Sequence, residues 1–294
     1  MGYSKNWKWG LMFIMPWLLG FLILQAYPLI MSLYYSFTDF SILGTGKFIG
    51  FDNYIELFTG DKYFFKSLTV TFKYALFSVP MKLLMALIVA MILNMKLKGI
   101  NFFRTVYYLP SIMGGSVAIS ILWKFMFMKE GMVNGFLSVF GVDKLDWLGN
   151  QNMALITICL LVVWQFGSSM VLFLAGLQNI PTELYEAADM DGAGKIVQFF
   201  KITLPMLTPV IFFNLIMQII HALQEFTSAS IITGGGPNHA TYLMGVKIYE
   251  DAFRSLKMGY ASATSWVLFI IILFITLLIF KSSDAWVFYN DGRD

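Results

Sequence analysis

The chain has 294 residues, 58% of them hydrophobic and 13% charged, with a mean hydropathy of +0.72 and a formal net charge of +3. A soluble domain carries about 45–50% apolar and about 25% charged residues, so this chain lacks the polar surface to cover itself in water and reads as an integral membrane protein. The small net charge excludes nucleic acid as a partner, and the single cysteine, Cys159, excludes an internal disulfide and any multi-thiolate metal site.

A helix needs about 20 mostly apolar residues to cross a hydrocarbon core about 30 Å thick. Six stretches meet that requirement: 11–37, 68–94, 106–127, 155–177, 204–225 and 262–280. The first is too long for a signal-peptide core, and no small-x-small cleavage site follows it. The alternating pattern of barrel strands is absent, which leaves an all-α membrane protein. Trp7, Trp9, Trp123, Trp147 and Trp286 sit near span ends, where amphipathic rings favour the headgroup level. An even number of spans puts both termini on one side. The short 95–105 loop carries Lys96, Lys98 and Arg104 with no acid, and Lys5, Lys8, Lys195, Lys201, Lys281 and Arg293 fall on the same side. By the positive-inside rule both termini are cytoplasmic.

Polar side chains within the spans come next in chain order. Lys82 follows Pro80 near the middle of span two; it snorkels, pairs with Glu225, or faces a cavity. Span four carries Gln165 and Ser168, and span five carries Asn214, Gln218, His221 and Glu225. The last four lie on one helical face. Such groups are costly in hydrocarbon and usually face a bundle interior or a wet cavity. The stripe therefore reads as a candidate substrate pathway, offering hydrogen bonds to passing hydroxyls. The alternative is interhelical glue, worth about 0.6–2 kcal/mol per contact. His221 has no second ligand at metal spacing, so no metal site is expected.

The loop at 178–203 is long and acidic. Pro181-Thr182 is a helix start, with the Thr182 hydroxyl available as a cap. Glu183 and Glu186 complement the helix dipole. Ala187 and Ala188 favour helix, and Gly192 or Gly194 offers a stop. A short helix results, and its small residues Ala187, Ala188, Gly192 and Ala193 permit close approach of another surface. On residues alone it is either a docking helix or a plain connector. A P-loop requires G-x-x-x-x-G-K-[ST]. The one tempting pair, Gly194-Lys195, has Asp189 at the first glycine position and Ile196 after the lysine. Energy must come from another chain or from an ion gradient. On the outer side, Gly234-Gly235-Gly236-Pro237 forms a loop able to flex towards a partner, or an ordinary flexible loop.

Several of these segments form an ordered set. Glu186-Ala187-Ala188, Gly192 and Ile202-x-Leu204-Pro205 resemble the EAA loop of permease subunits of bacterial ATP-binding-cassette importers, and Asp191-Gly192-Ala193 with Pro209 resembles its carbohydrate-importer version. Phe51-Asp52-Asn53-Tyr54, Arg104 with Leu109-Pro110, Gly234 to Pro237, Ala240-Thr241, Tyr249 with Ala252-Phe253, and Met258-Gly259-Tyr260-Ala261 agree with it.

The resemblance implies a type I importer permease fold, with six transmembrane helices in a single domain over 1–294 and a cytoplasmic coupling helix between spans four and five. It implies a maltose-like sugar or oligosaccharide importer in the bacterial inner membrane. Glu186, Ala187, Ala188, Asp191, Gly192 and Ala193 would couple to a separate ATPase, and Gly234, Gly235, Gly236 and Pro237 would meet an extracytoplasmic solute-binding protein. The partners implied are a second, homologous permease, two ATPase subunits and that binding protein. ATP and magnesium would sit on the ATPase, with no cofactor on this chain, which is not an enzyme. The competing expectation is a self-contained secondary transporter, which should show related halves and broken helices.

Overall fold

The computed structural model describes residues 7–95 and 99–288. Lys5, Lys96, Lys98 and Arg293, used above to orient the chain, lie outside the described residues, as does the side chain of Lys8. The described residues form helices α1 (Trp9–Ser36), α2 (Phe64–Leu93), α3 (Ile100–Ile112), α4 (Val117–Met126), α5 (Met132–Val139), α6 (Gln151–Trp164), α7 (Gly167–Gln178), α8 (Thr182–Met190), α9 (Lys195–Leu223), α10 (Met244–Tyr249) and α11 (Met258–Ser283). Four of these, α1, α2, α9 and α11, are each long and apolar enough to cross a membrane, and the pairs α3/α4 and α6/α7 bring the total to six if each bent pair is one span.

Those pairs fall at the spans expected at 106–127 and 155–177 and show that each is broken. The α3/α4 pair starts at Ile100 rather than 106 and bends by 100°; α6 and α7 meet at 44°. The cause of the first break is legible: Pro110 removes a backbone donor near the end of α3, and Gly115 takes φ +71° between the two helices. The fifth span also starts earlier than 204. It begins at Lys195 with a wide helical turn over Phe199–Thr203, closed by the Leu204 N–H to the Phe199 carbonyl. Widening the turn just before Pro205 lets the helix run into the proline. The same device precedes Pro28 in α1, where the Tyr27 N–H bonds the Leu22 carbonyl.

Residues 1–62 with 248–270 form one compact unit, and 63–247 with 271–294 another. In the first, Asn53 Nδ2 donates to the Ser36 and Thr38 carbonyls at 2.9 and 2.8 Å, and the Tyr54 hydroxyl donates to Ser36 Oγ at 2.8 Å. The Gly259 N–H reaches the Phe40 carbonyl at 2.9 Å, the Tyr260 hydroxyl donates to Asp61, and Trp266 Nε1 donates to Ser32 Oγ. A Cβ on Gly259 would sit 2.0 Å from the Thr38 carbonyl oxygen, so only glycine fits that approach. The 51–54 and 258–261 motifs are thus the clamps of this unit.

The second unit is built on α2, α7 and α9. Ala86, Val89, Ala90, Leu93, Met170, Phe173, Leu177 and Leu207 form its buried centre. Between helices in lipid, close van der Waals fit replaces the hydrophobic effect as the main attraction, and small residues permit it. Gly176 lies where a Cβ would meet Leu207 at 2.9 Å and Val210 at 3.0 Å. Gly167 opens α7 where a Cβ would meet the Tyr107 carbonyl oxygen of α3 at 2.5 Å. Buried Asn134 organises the loop before α6: its amide donates to the Lys129 and Leu145 carbonyls and accepts from the Leu145 N–H and Trp147 Nε1.

Gly167→Ala is expected to force α7 off α3, at the cost of about 1–3 kcal/mol that overpacking carries. Thermal unfolding in detergent should then fall by several degrees, while Gly10→Ala, which meets nothing within 4 Å, should not lower it. Equal transitions for both variants would contradict the packing described.

Candidate functional site

A cavity of about 460 Å³ opens in the second unit. Three interruptions of the helices meet there: the α3/α4 break at Gly114-Gly115, the α6/α7 break at Gln165, and the end of α9 at Gln224-Glu225. Each interruption exposes backbone groups, and at membrane depth such groups persist only inside protein or beside water. The side chains around them are correspondingly polar: Ser78, Lys82, Ser111, Gln165, Ser168, Gln218, His221, Gln224 and Thr227. A Cβ built on Gly114 would lie 3.4 Å from Gln165 Oε1, so the amide of one break rests on the glycine of another.

Of the expected pathway residues, the cavity brings together Gln165, Gln218, His221 and Glu225, with Ser168 beside them. Asn214 does not line it. Although it shares their helical face, it lies one turn earlier in α9, where the helices close, and its buried Nδ2 donates to the Val210 carbonyl at 3.1 Å. Glu225 is not merely solvated: its Oε1 accepts from the Ser228 N–H and hydroxyl, both at 2.8 Å, closing the turn that follows α9.

Lys82 faces this cavity. A lysine at a helix centre costs about 2.5–3.5 kcal/mol to insert, which a wet wall relieves. Tyr74 and Ser78, which the sequence reading passed over, complete a ridge with it on α2. Both hydroxyls are fully buried and make no hydrogen bond of good geometry among the described residues, although Tyr74 is approached by Ser228 and by Ser78 itself. Their signal was the i, i+4, i+8 spacing from Lys82.

The short acidic helix is α8, and it ends at Met190, just before Gly192. Pro181 takes the cap position and Thr182 is already helical, so no side chain caps it. Gly192, at φ +74°, ends it: the Ala193 N–H bonds the Ala188 carbonyl at 2.9 Å and the Gly192 N–H bonds the Asp189 carbonyl at 3.1 Å. That pairing is a Schellman stop, and it requires the left-handed residue that glycine supplies. Glu186, Ala187 and Asp191 are exposed, with Ala188 and Ala193 half-buried.

What fastens α8 comes from residues that the motif does not contain. Tyr185 and Thr203 share a hydroxyl hydrogen bond of 2.9 Å, and Tyr185 packs on the α2/α7/α9 core. Buried Gln198 donates to Asp189 and to the Ala193 carbonyl, and accepts from Lys195 Nζ at 3.0 Å. Hydrogen bonds from Gln198 and then Lys195 hold the Asp189 carboxyl below its usual range.

The glycine loop is a wound turn rather than a flexible one. Gly234 and Gly235 adopt φ +59° and +82°, and a Cβ on buried Gly235 would meet the Tyr242 ring at 2.8 Å. Thr241 Oγ1 donates to the Gly236 carbonyl at 2.7 Å, Lys66 Nζ reaches the Asn238 carbonyl at 2.8 Å, and His239 stacks on Tyr63.

Residues 57–293 match the family described as binding-protein-dependent transport system inner membrane component. The probable ABC transporter permease protein YesP of Bacillus subtilis is 50% identical over 288 residues, covering 97% of this chain and 93% of YesP. The multiple sugar-binding transport system permease protein MsmF of Streptococcus mutans is 34% identical, covering 95% of this chain and 96% of MsmF. A chain in the crystal structure of a bacterial alginate ABC transporter, in complex with an alginate pentasaccharide-bound periplasmic protein, superposes with a TM-score of 0.82 at 23% identity, covering 95% of both chains. That likeness shows the fold.

Gln198→Leu should free the end of α8 without disturbing the core. Amide exchange over 182–194 is expected to quicken about tenfold, the effect of losing a hydrogen bond to a charged group. Unchanged exchange there would remove Gln198 as the fastener.

Proposed function

This chain belongs to the family of binding-protein-dependent transport system inner membrane components, and we propose that it is one permease half of an ATP-driven importer of sugars or oligosaccharides. One observation carries the coupling part of this reading. Helix α8 has no buried residue, yet through Tyr185 and Gln198 it is fastened to α9, which runs on to the cavity wall. An exposed helix so attached serves as a handle for another protein.

In this reading Glu186, Ala187, Ala188, Asp191, Gly192 and Ala193 meet a cleft on a separate ATPase. Ala187 and Gly192 allow close approach, and Glu186 supplies a charge at the contact. ATP and magnesium bind that subunit, and closure of two ATPases moves α8 and, with it, α9. Gln165, Gln218, His221 and Glu225 line the path of the sugar, and amide and imidazole groups there match the alternating donors and acceptors of hydroxyls. A second, homologous permease completes the pathway, and both termini face the cytoplasm. The wound 234–237 turn offers a binding protein a preformed surface, which lowers the ordering cost of docking. Sugar as cargo is supported by MsmF, whose name gives multiple sugars, and by the alginate transporter. The broken pairs α3/α4 and α6/α7 also suit a self-contained secondary transporter, but such a protein has no use for α8.

Glu186→Lys should leave the chain inserted and the ATPase active while uptake of labelled sugar falls at least tenfold; undiminished uptake in proteoliposomes would end the coupling assignment. Gln218→Leu should lower uptake several-fold with subunit co-purification intact. Unaltered uptake kinetics there would return the span-five amides to a packing role.

A further inference from the structure

The importer reading above gives Lys82 no role. It forms one ridge of α2 with Tyr74 and Ser78, and all three border the cavity. Its residue is only 8% exposed, and among the described residues its ammonium makes no hydrogen bond and no ion pair. Glu225 is the other formal charge of the wall. It does not neutralise Lys82 at contact range, and its Oε1 is already held by the Ser228 N–H and hydroxyl. The ammonium therefore presents three donors to the cavity, with the Glu225 carboxylate near enough to act on it but not in contact.

Matched amide and hydroxyl groups suffice to bind a neutral sugar. An ammonium can donate to a neutral hydroxyl, but an anionic ligand gains more from it, because the attraction of opposite charges adds to the charge-assisted hydrogen bond. The cavity volume lies in the range of small-molecule sites, about 300–1,000 Å³. The buried hydroxyls of Tyr74 and Ser78, which approach each other without good hydrogen-bond geometry, lie on the same ridge as Lys82. We propose that Lys82 makes this cavity a site for an acidic sugar, one bearing a carboxylate or a phosphate. The proposal rests on the importer reading and narrows its cargo.

The test uses the full-length chain with its co-purifying partners in lipid nanodiscs, titrated with glucuronate, glucose 6-phosphate and glucose and followed by saturation-transfer NMR. At least one acidic probe should bind about tenfold or more tightly than glucose, the margin of one charge-assisted hydrogen bond. Glucuronate alone would assign a carboxylate, and glucose 6-phosphate alone a phosphate. Lys82→Met should abolish the difference and Lys82→Arg should keep it. Inorganic phosphate should displace the acidic probe from the wild-type chain but not glucose, which decides the matter even if Lys82→Met fails to fold. Equal affinity for glucuronate, glucose 6-phosphate and glucose, no binding of either acid, or a preference that survives Lys82→Met would overturn the proposal. The importer reading fails separately: an acid-selective site on a chain that brings down no ATPase would sink the importer and leave the site. ATP-driven uptake of glucose by a complex in which neither acid binds more tightly than glucose would do the reverse.

Discussion

A peptide group in hydrocarbon must find a hydrogen-bond partner, and a continuous helix is the simplest way to supply one. This chain breaks its helices at three places and brings all three to one cavity. The carbonyls and N–H groups released at Gly114-Gly115, at Gln165 and beyond Leu223 are tolerable together because each faces the same enclosed polar space. The side chains follow from that choice. Glutamines, serines and a histidine collect around the same cavity as the helix breaks, and Lys82 lies on its wall. Asn214 marks the limit: one turn earlier in α9 than Gln218 it is buried outside the cavity, and its amide turns back to its own backbone.

The cavity and the exposed helix α8 share their scaffold. Leu174, Leu177 and Leu207 pack α7 and α9 on Ala86, Val89 and Ala90 of α2, and Tyr185 of α8 lies against the same cluster. Glycine-mediated contacts, Gly176 on α9 and Gly167 on α3, bring these helices too close to slide independently. Interiors packed to that degree shift between discrete arrangements rather than deform smoothly. Displacing α8 would therefore move the break at Gln165 and the end of α9 together, which is what coupling between an external motor and an internal path requires.

Much of this was legible in the residues. Apolar runs gave the spans, the i, i+3, i+7 spacing from Gln218 gave one wall of the cavity, and the Glu186 to Ala193 pattern gave α8 with its glycine stop. Other features were hidden for physical reasons. A run of apolar residues does not report a bend of 100°, because Ile112 and Val117 are equally apolar on either side; the cue was Pro110 followed by two glycines. Gln198, Tyr185 and Thr203 fasten α8 through contacts across nine to eighteen positions, which no local period records. The triple glycine suggested looseness. In the fold, positive φ at two of its residues and the bonds made by Thr241 spend that freedom on a fixed turn.

The account depends on the cavity being an aqueous compartment inside the bundle. Thiol accessibility tests this directly. In a Cys159→Ala background, single cysteines replace Ser111, Gln218 and Asn214 in the full-length chain in lipid nanodiscs, and each reacts with a small charged methanethiosulfonate. Rapid labelling at 111 and 218, with position 214 protected although it lies on the same helical face as 218, is the predicted pattern. Protection at 218 equal to that at 214 would mean that the helix breaks meet in a dry core, and the pathway drawn from them would fall.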